Sequence, residues 1–245
     1  MLRRTQPRDE RRFTVAVAQN VFSSKGDVAY AQLRSWILLG TLPAGSRLAQ
    51  YELAERLDMS ITPLREAVRR LSSEGLMELD SHKNVRIAPM SATEARQLFE
   101  VRLSLDPSAV ELAAQRRTDR DISAMRDAAQ RLVPVTRSWG EEGLTAHREF
   151  HRTLYLASHN DVLIHLLEDL WDKSDRYRRV GLELPPGAEP RTIDFDQHFD
   201  ILECVVAGDG SAAADLMRRH IRGSLTAAAI DALAGDELTV RQNSA

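Results

Sequence analysis

The sequence predicts a mainly α-helical protein in two parts, a small helix-and-hairpin unit followed by an all-helical bundle. Three observations predict it. Long leucine- and alanine-rich stretches dominate the 245 residues while aromatics make up only 5%, a balance that favours helix. Between residues 50 and 88, two short helical patterns joined by a tight turn lead into two alternating stretches. From residue 91 onward, apolar residues recur at helical spacing, broken only by caps and one proline-rich stretch.

The bulk numbers bound the rest. The length suits two ordinary domains. Charged residues are 28% but the formal net charge is only −3, so any surface for nucleic acid must be local. Cys204 is the single cysteine, which excludes an internal disulfide framework and fits a cytoplasmic protein. No apolar run approaches the roughly 20 residues that span a bilayer. The N-terminal arginines have no apolar stretch behind them, so no secretory signal and no membrane partner is expected.

In order along the chain, Met1 to Arg12 holds five arginines against Asp9 and Glu10. Residues 1–24 read as a flexible basic arm, open either to DNA phosphates or simply to solvent. A first helix is expected over Asp27–Leu39, with Ala29, Leu33, Trp36 and Ile37 on one side, Gly40 stopping it and Leu42–Gly45 turning the chain. A second covers Gln50–Leu57, with Leu53, Ala54 and Leu57 inward; Asp58 and Met59 form the turn after it. Over residues 60–73, Leu64, Ala67, Val68 and Leu71 make one apolar stripe, while Thr62, Arg65 and Arg69 share a basic face. Pro63 belongs in the first turn, so Ser60 or Thr62 is the cap, and Glu66 with Arg70 adds an i, i+4 pair. Gly75 ends the helix. Residues 76–79 and 85–88 alternate like a hairpin whose tip carries His82 and Lys83.

Two helices on a tight turn followed by a hairpin make a winged helix-turn-helix, here over 25–89, with the second of the two helices shaped for a major groove. Ser60, Thr62, Arg65 and Arg69 are its candidate DNA contacts, with His82 and Lys83 at the wing.

The second domain is expected over 90–235. Ser91 to Glu94 reads as a capping box. Leu98, Val101, Leu105 and Val110 continue a long helix that Pro107 is expected to kink or split. Helices follow near 119–132, 140–158 and 161–178, the last capped by Asn160. Residues 184–190 break the pattern, two more helices cover 191–207 and 210–234, and 236–245 reads as a flexible tail. The domain is large enough for its own core, in which Cys204 is expected to be buried.

Four of the seven histidines form a second constellation. His147 and His151 are four residues apart on one helix, while His198 and His220 lie on two later ones. Single ligands from facing helices plus an i, i+4 pair are a standard way to hold a transition metal in a bundle. Spacing alone leaves open scattered surface or core histidines, which is the reading for His159 and His165.

The stretch LAQYELAERLDMSITPLREAVRRLSSEGLMEL resembles the N-terminal domain of the GntR family of bacterial transcription regulators. Its helix-turn-helix, its S-x-T-P-x-R-E-A-x-x-R-L segment and the following E-G-L all match. Glu100-Val-Arg102, His151, Asn160, His198 and His220 then occupy the places expected of the FadR subfamily's helical FCD domain. The resemblance spans nearly everything from 27 to 230. It implies a homodimer on a palindromic double-stranded DNA operator, a divalent transition metal held by the histidines, and a small carboxylate effector beside it. Arg102 is then either the partner of that carboxylate or a salt bridge of the bundle.

Three positions depart from the family pattern. His147 stands where an Asp usually binds the metal, so the site becomes four nitrogens, unless Asp194 supplies a carboxylate instead. Four neutral histidines leave a divalent ion its full charge and favour zinc, then nickel or cobalt, over magnesium or calcium. Ile61 replaces an Arg that commonly opens the recognition helix, and His82-Lys-Asn84 replaces a common glycine at the wing. The leading expectation is a ligand-responsive regulator. The alternatives are a direct metal sensor and a metal-dependent enzyme with Glu149 or Asp194 as base.

Overall fold

A computed structural model describes residues 24–80, 84–134, 140–183 and 192–243. The expected basic arm, apart from Ser24, and His82 and Lys83 at the wing lie outside the described residues.

The first unit runs α1 (Lys25–Leu38), β1 (Arg47–Ala49), α2 (Gln50–Arg56), α3 (Ile61–Ser73), β2 (Met77–Leu79) and β3 (Asn84–Ile87). Ser24 caps α1 reciprocally: its Oγ accepts from the Asp27 N–H and the Asp27 carboxylate accepts from the Ser24 N–H. The apolar stripes of α1, α2 and α3 meet the hairpin in one core, with Leu33, Leu53, Leu64, Leu71, Val85 and Ile87 almost fully buried. Each such side chain contributes on the order of 1.5–3 kcal/mol by leaving water. The sheet was expected to be a hairpin and has a third strand: β1 pairs antiparallel with β3 on the side opposite β2, giving the order β1-β3-β2. Three residues are too few to display an alternating pattern, which is why β1 is silent in the sequence.

Two local expectations change. Glu66 and Arg70 do not pair. Arg70 instead lies over the Tyr30 ring, 3.6 Å from its centroid, and reaches Glu74 at 3.4 Å and Asp27 at 3.6 Å. It therefore ties α3 to α1. Ser60 does sit at the N-cap of α3, but its side chain makes no capping bond. The turn between α2 and α3 holds Asp58 at φ 50°, a conformation that Asp tolerates better than most residues.

The bundle runs α4 (Ala92–Arg116), α5 (Asp119–Ala129), α6 (Gly140–Leu156), α7 (Asp161–Glu183), α8 (Thr192–Ala207), α9 (Gly210–Arg222) and α10 (Leu225–Asn243). Pro107 neither splits nor ends α4, which continues for 25 residues. It removes one backbone bond, but Ala109, Val110 and Ala113 on the same helix are wholly buried, and that packing outweighs the loss. Ser91 accepts from the Glu94 N–H, yet the expected capping box is only half made. The Glu94 carboxylate takes the Tyr177 hydroxyl instead, and Tyr177 in turn accepts from the Ser91 N–H.

Asn160 caps α7 as expected, accepting from Leu163 N–H at 3.3 Å. The single helix expected over 210–234 is two, divided at Gly223 and Ser224, and the second runs to Asn243, into the stretch read as a tail. Gly181 of α7 faces the start of α10, where an added Cβ would collide with the Leu225 carbonyl. Cys204 is only partly buried. The bundle core gathers around Phe150, Leu154, Leu167, Trp171, Ile201 and Met217. Helix α7 also meets the first unit, where its Asp172 binds Arg34 of α1 and its Arg176 donates to the Ala88 carbonyl.

Candidate functional site

Two sites grow from these elements. On α3, the buried stripe turns Ser60, Thr62, Arg65 and Arg69 outward, and all four are exposed. Neither Arg65 nor Arg69 meets a carboxylate among the described residues, whereas Arg70, one residue further round, is spent on α1. The helix therefore presents two unneutralised guanidinium groups beside its uncapped N-terminus, an arrangement suited to phosphates and base edges.

The second site is inside the bundle. His147 and His151 come from α6, His198 from α8 and His220 from α9, and one ring nitrogen of each lies within 4.8 Å of the others. Ring centroids are 4.4 Å apart for His147–His151 and for His198–His220. His151, His198 and His220 are buried, while His147 keeps part of its surface toward a cavity. Asp194 lines that cavity but is not part of the cluster, and Glu149 is on the exposed face of α6.

Hydrogen bonds behind two of the rings, His151 and His220, fix which of their nitrogens face inward. Tyr155 has one proton, which it donates to Asp106 Oδ2 at 2.8 Å, and it accepts from Trp171 Nε1–H at 3.0 Å. His151 Nδ1, 3.3 Å from the same hydroxyl, must then be the donor, leaving the lone pair on Nε2. His220 Nδ1 lies 3.2 Å from Gln197 Oε1, an acceptor, so its lone pair is also on Nε2. His151 Nε2 and His147 Nδ1 are buried with no hydrogen-bond partner among the described residues. Neither His198 nitrogen has one of good geometry, although the carbonyls of Phe195 and Asp194 sit near enough to favour its charged form slightly.

Burial is the main reason these rings resist protonation. It holds His147 and His151 well below the ordinary histidine value, helped by Arg178 and by the other rings, and brings His198 down to about 3. Buried, neutral imidazoles with inward lone pairs are the form that ligates a cation.

The cavity holds about 30 Å³ and is lined by Arg102, Arg178, Asp194 and three of the histidines, with Phe195 and Leu225 among its apolar walls. Arg102 both lines it and forms the bundle salt bridge, donating to Asp106 Oδ2 at 2.6 Å and 3.2 Å. Arg102 and Arg178 both lie over the Trp171 ring, their guanidinium carbons 4.3 Å and 4.9 Å from its centroid. Arg178, Asp106, Tyr155, Trp171 and Gln197 were not singled out from the sequence. Asp106 and Tyr155 do stand one turn after Arg102 and His151, a signal that was available. His159 is bound to Asp121 and His165 to its own helix, both apart from the cluster.

Comparison with known proteins bears on the two domains that carry these residues. The profile of the gntR family, described as bacterial regulatory proteins, matches residues 25–87, and that of the FCD domain matches 97–223, more than half of the chain. The chain is 28% identical to the HTH-type transcriptional repressor GlaR of Escherichia coli over 78% of its length and 90% of the relative's. It is 29% identical to the transcriptional regulator LutR of Bacillus subtilis, over 74% and 91%. The solved structure of E. coli McbR/YncC superposes with a TM-score of 0.71 at 23% identity, covering 82% of this chain and 95% of that one, a likeness of fold. No helix among the described residues is long and apolar enough to cross a membrane.

Proposed function

The chain belongs to the GntR family of bacterial regulatory proteins and carries an FCD domain, so it is a DNA-binding transcription regulator; we propose that a small carboxylate, held at a metal site in that domain, sets its grip on operator DNA. The observation that carries this reading is the convergence of four histidine nitrogens beside two buried arginines.

On the DNA side, Arg65 and Arg69 reach phosphates or guanine edges, Ser60 and Thr62 fix the register, and His82 and Lys83 are assigned to the wing contact from the sequence alone. A homodimer places two α3 helices in successive major grooves of a palindromic site. Val101 and Leu166, 43% and 50% exposed along one groove between α4 and α7, are apolar surface offered to the second protomer. The relatives are all named as regulators, and the setting is cytoplasmic.

On the effector side, the donor set fits a divalent transition metal, zinc first and nickel or cobalt next, with His147, His151, His198 and His220 as ligands. When bound, the ion supplies a positive centre for a carboxylate. Tyr155 and Gln197 hold two of the rings in the ligating tautomer. Arg102 faces the same cavity and adds a forked donor for the acid, although Asp106 already shares its charge.

The test is a thermal-shift screen of hydroxy, keto and dicarboxylic acids on zinc-loaded protein, followed by operator affinity at fixed salt. An acid that raises the melting temperature and weakens or strengthens DNA binding supports the reading; tight binders that never alter DNA affinity refute it. The small cavity, about 30 Å³, favours one second reading, a sensor of the metal itself. In that case zinc alone shifts operator affinity and no acid adds to it.

A further inference from the structure

Arg178 is the inner end of a chain of charges that alternate in sign and lead out of the cavity. Its Nη1 donates to Asp175 Oδ1 at 2.9 Å. The other oxygen of Asp175 takes Arg148 Nη1 at 2.8 Å, and Arg148 Nη2 donates to Asp172 Oδ1 at 2.5 Å. That same Asp172 oxygen also accepts from Arg34 Nη2, and Asp172 Oδ2 takes Arg34 Nε at 2.8 Å. Arg34 is on α1, in the DNA-binding unit, and does not line the cavity. Side-chain exposure along the chain runs from 3% at Arg178 to 26% at Arg34, so solvent screens it little at its inner end.

Three guanidinium groups share two carboxylates, which leaves one positive charge uncompensated. Among the described residues Arg102 is the one cation on Asp106, but Arg178 must share Asp175 with Arg148. Burial lowers the affinity of Arg178 for its proton and Asp175 only partly offsets it, while at Arg102 Asp106 more than offsets the same burial. The least compensated cation of the chain is thus the one at the cavity wall.

We propose that Arg178 is a second anion-holding residue of the cavity, and that through Asp175, Arg148 and Asp172 it reports the cavity's occupancy to Arg34 of the DNA-binding unit. A carboxylate on Arg178 competes with Asp175. Asp175 then leans on Arg148, Arg148 gives up its share of Asp172, and Asp172 closes more firmly on Arg34. Occupancy fixes α1 against α7. The coupling is a free energy and so works in both directions: removing Arg34 leaves Asp172 wholly to Arg148, returns Asp175 to Arg178 and weakens anion binding from outside the cavity. The inference rests on the reading that the cavity takes a carboxylate.

The experiment uses the zinc-loaded full chain, with malonate as the probe anion and a duplex selected by the protein from a random-sequence pool. Malonate affinity is measured by calorimetry for the native protein, Arg178→Gln, Arg178→Lys, Arg34→Gln and the exposed control Arg120→Gln. Arg178→Gln is expected to lose about tenfold or more and Arg34→Gln about fivefold, with zinc content unchanged and the control near native. Arg178→Lys, which keeps the charge without the fork, should fall between and guards against a variant that fails to fold. Arg34→Gln binding malonate like the control overturns the proposal. If the native protein takes up zinc but no malonate, the carboxylate reading itself has failed, and with it the anion-holding role. The chain is then judged by duplex affinity alone: Arg34→Gln and Arg178→Gln should be non-additive when combined, and additive effects overturn it too.

Discussion

At His147, one residue carries both an opportunity for the metal and a cost to the fold. Its Nδ1 is buried without a hydrogen-bond partner among the described residues, and its ring centroid is 4.6 Å from that of His198. His147→Asp should keep the metal and bind an acid effector less tightly, because a carboxylate cancels part of the cation's charge; His147→Ala should weaken the metal more than either. Metal content after dialysis and effector calorimetry decide this, and full occupancy in His147→Ala removes His147 from the ligand set. The ordinary histidine value of about 6.5 would have every ligand compete with protons below that pH. Burial moves that competition in the folded protein far lower, to about 3 for His198. The cost then falls on stability. Below 6.5 the unfolded chain binds protons that His147, His151 and His198 refuse in the fold, so stability is fully present above 6.5 and falls as the pH drops toward the folded values. The loss is about 1.4 kcal/mol per histidine per pH unit. Metal-free protein should therefore lose roughly 4 kcal/mol between pH 7.5 and 5.5 from these three residues in urea titrations. His198→Gln should cut that slope by about a third; an unchanged slope contradicts the assignment.

At the scale of elements, α3 was the most legible. Its stripe, its basic face and its first-turn proline are all local signals, and Leu64, Ala67, Val68 and Leu71 are buried as the period requires. Arg65→Ala should cost about 1–3 kcal/mol of operator binding if Arg65 reads a base. If it holds a phosphate, the loss should be similar on every sequence and the salt slope should fall by about 1. A titration with unchanged affinity refutes both roles. Pairings across the chain were not legible. The periodicity placed His147 and His151 on one face of a helix, but nothing local says that α8 and α9 turn His198 and His220 toward them. The resemblance supplied that. The Glu94–Tyr177 bond and the Arg70–Tyr30 stack join residues 83 and 40 positions apart, where no spacing rule applies. The break at Gly223 was hidden in an alanine-rich run with no proline to mark it. Its consequence is a close contact: α10 starts against Gly181, and Ser224 and Leu225 line the cavity. Gly181→Ala should push α10 away, costing about 1–3 kcal/mol by overpacking and altering metal or effector affinity with it. A variant of native stability and native affinity would show that α10 can move freely.

Across the whole molecule, the histidine cluster joins α6 to the later, consecutive helices α8 and α9, while α7 links the same bundle to α1 through Asp172. An ion bound there acts as a cross-link that exists only in the folded state, because the unfolded chain separates the four rings. Binding energy is then folding energy: at a free metal concentration 100 times the dissociation constant the gain is about 2.7 kcal/mol. For a chain of this size that corresponds to a rise of roughly 5–10 °C in melting temperature. The nitrogen donors set which ions can do this. Zinc, nickel and cobalt should each raise the melting temperature of chelator-treated protein, and magnesium and calcium should not, since those hard cations require oxygen ligands. His151→Gln should abolish the shift while leaving the metal-free melting temperature the same or higher, because it replaces a buried ring that has no inward partner. If magnesium stabilises the protein as well as zinc does, or if His151→Gln keeps the full zinc shift, the ion binds elsewhere and the four histidines are a neutral, packed cluster.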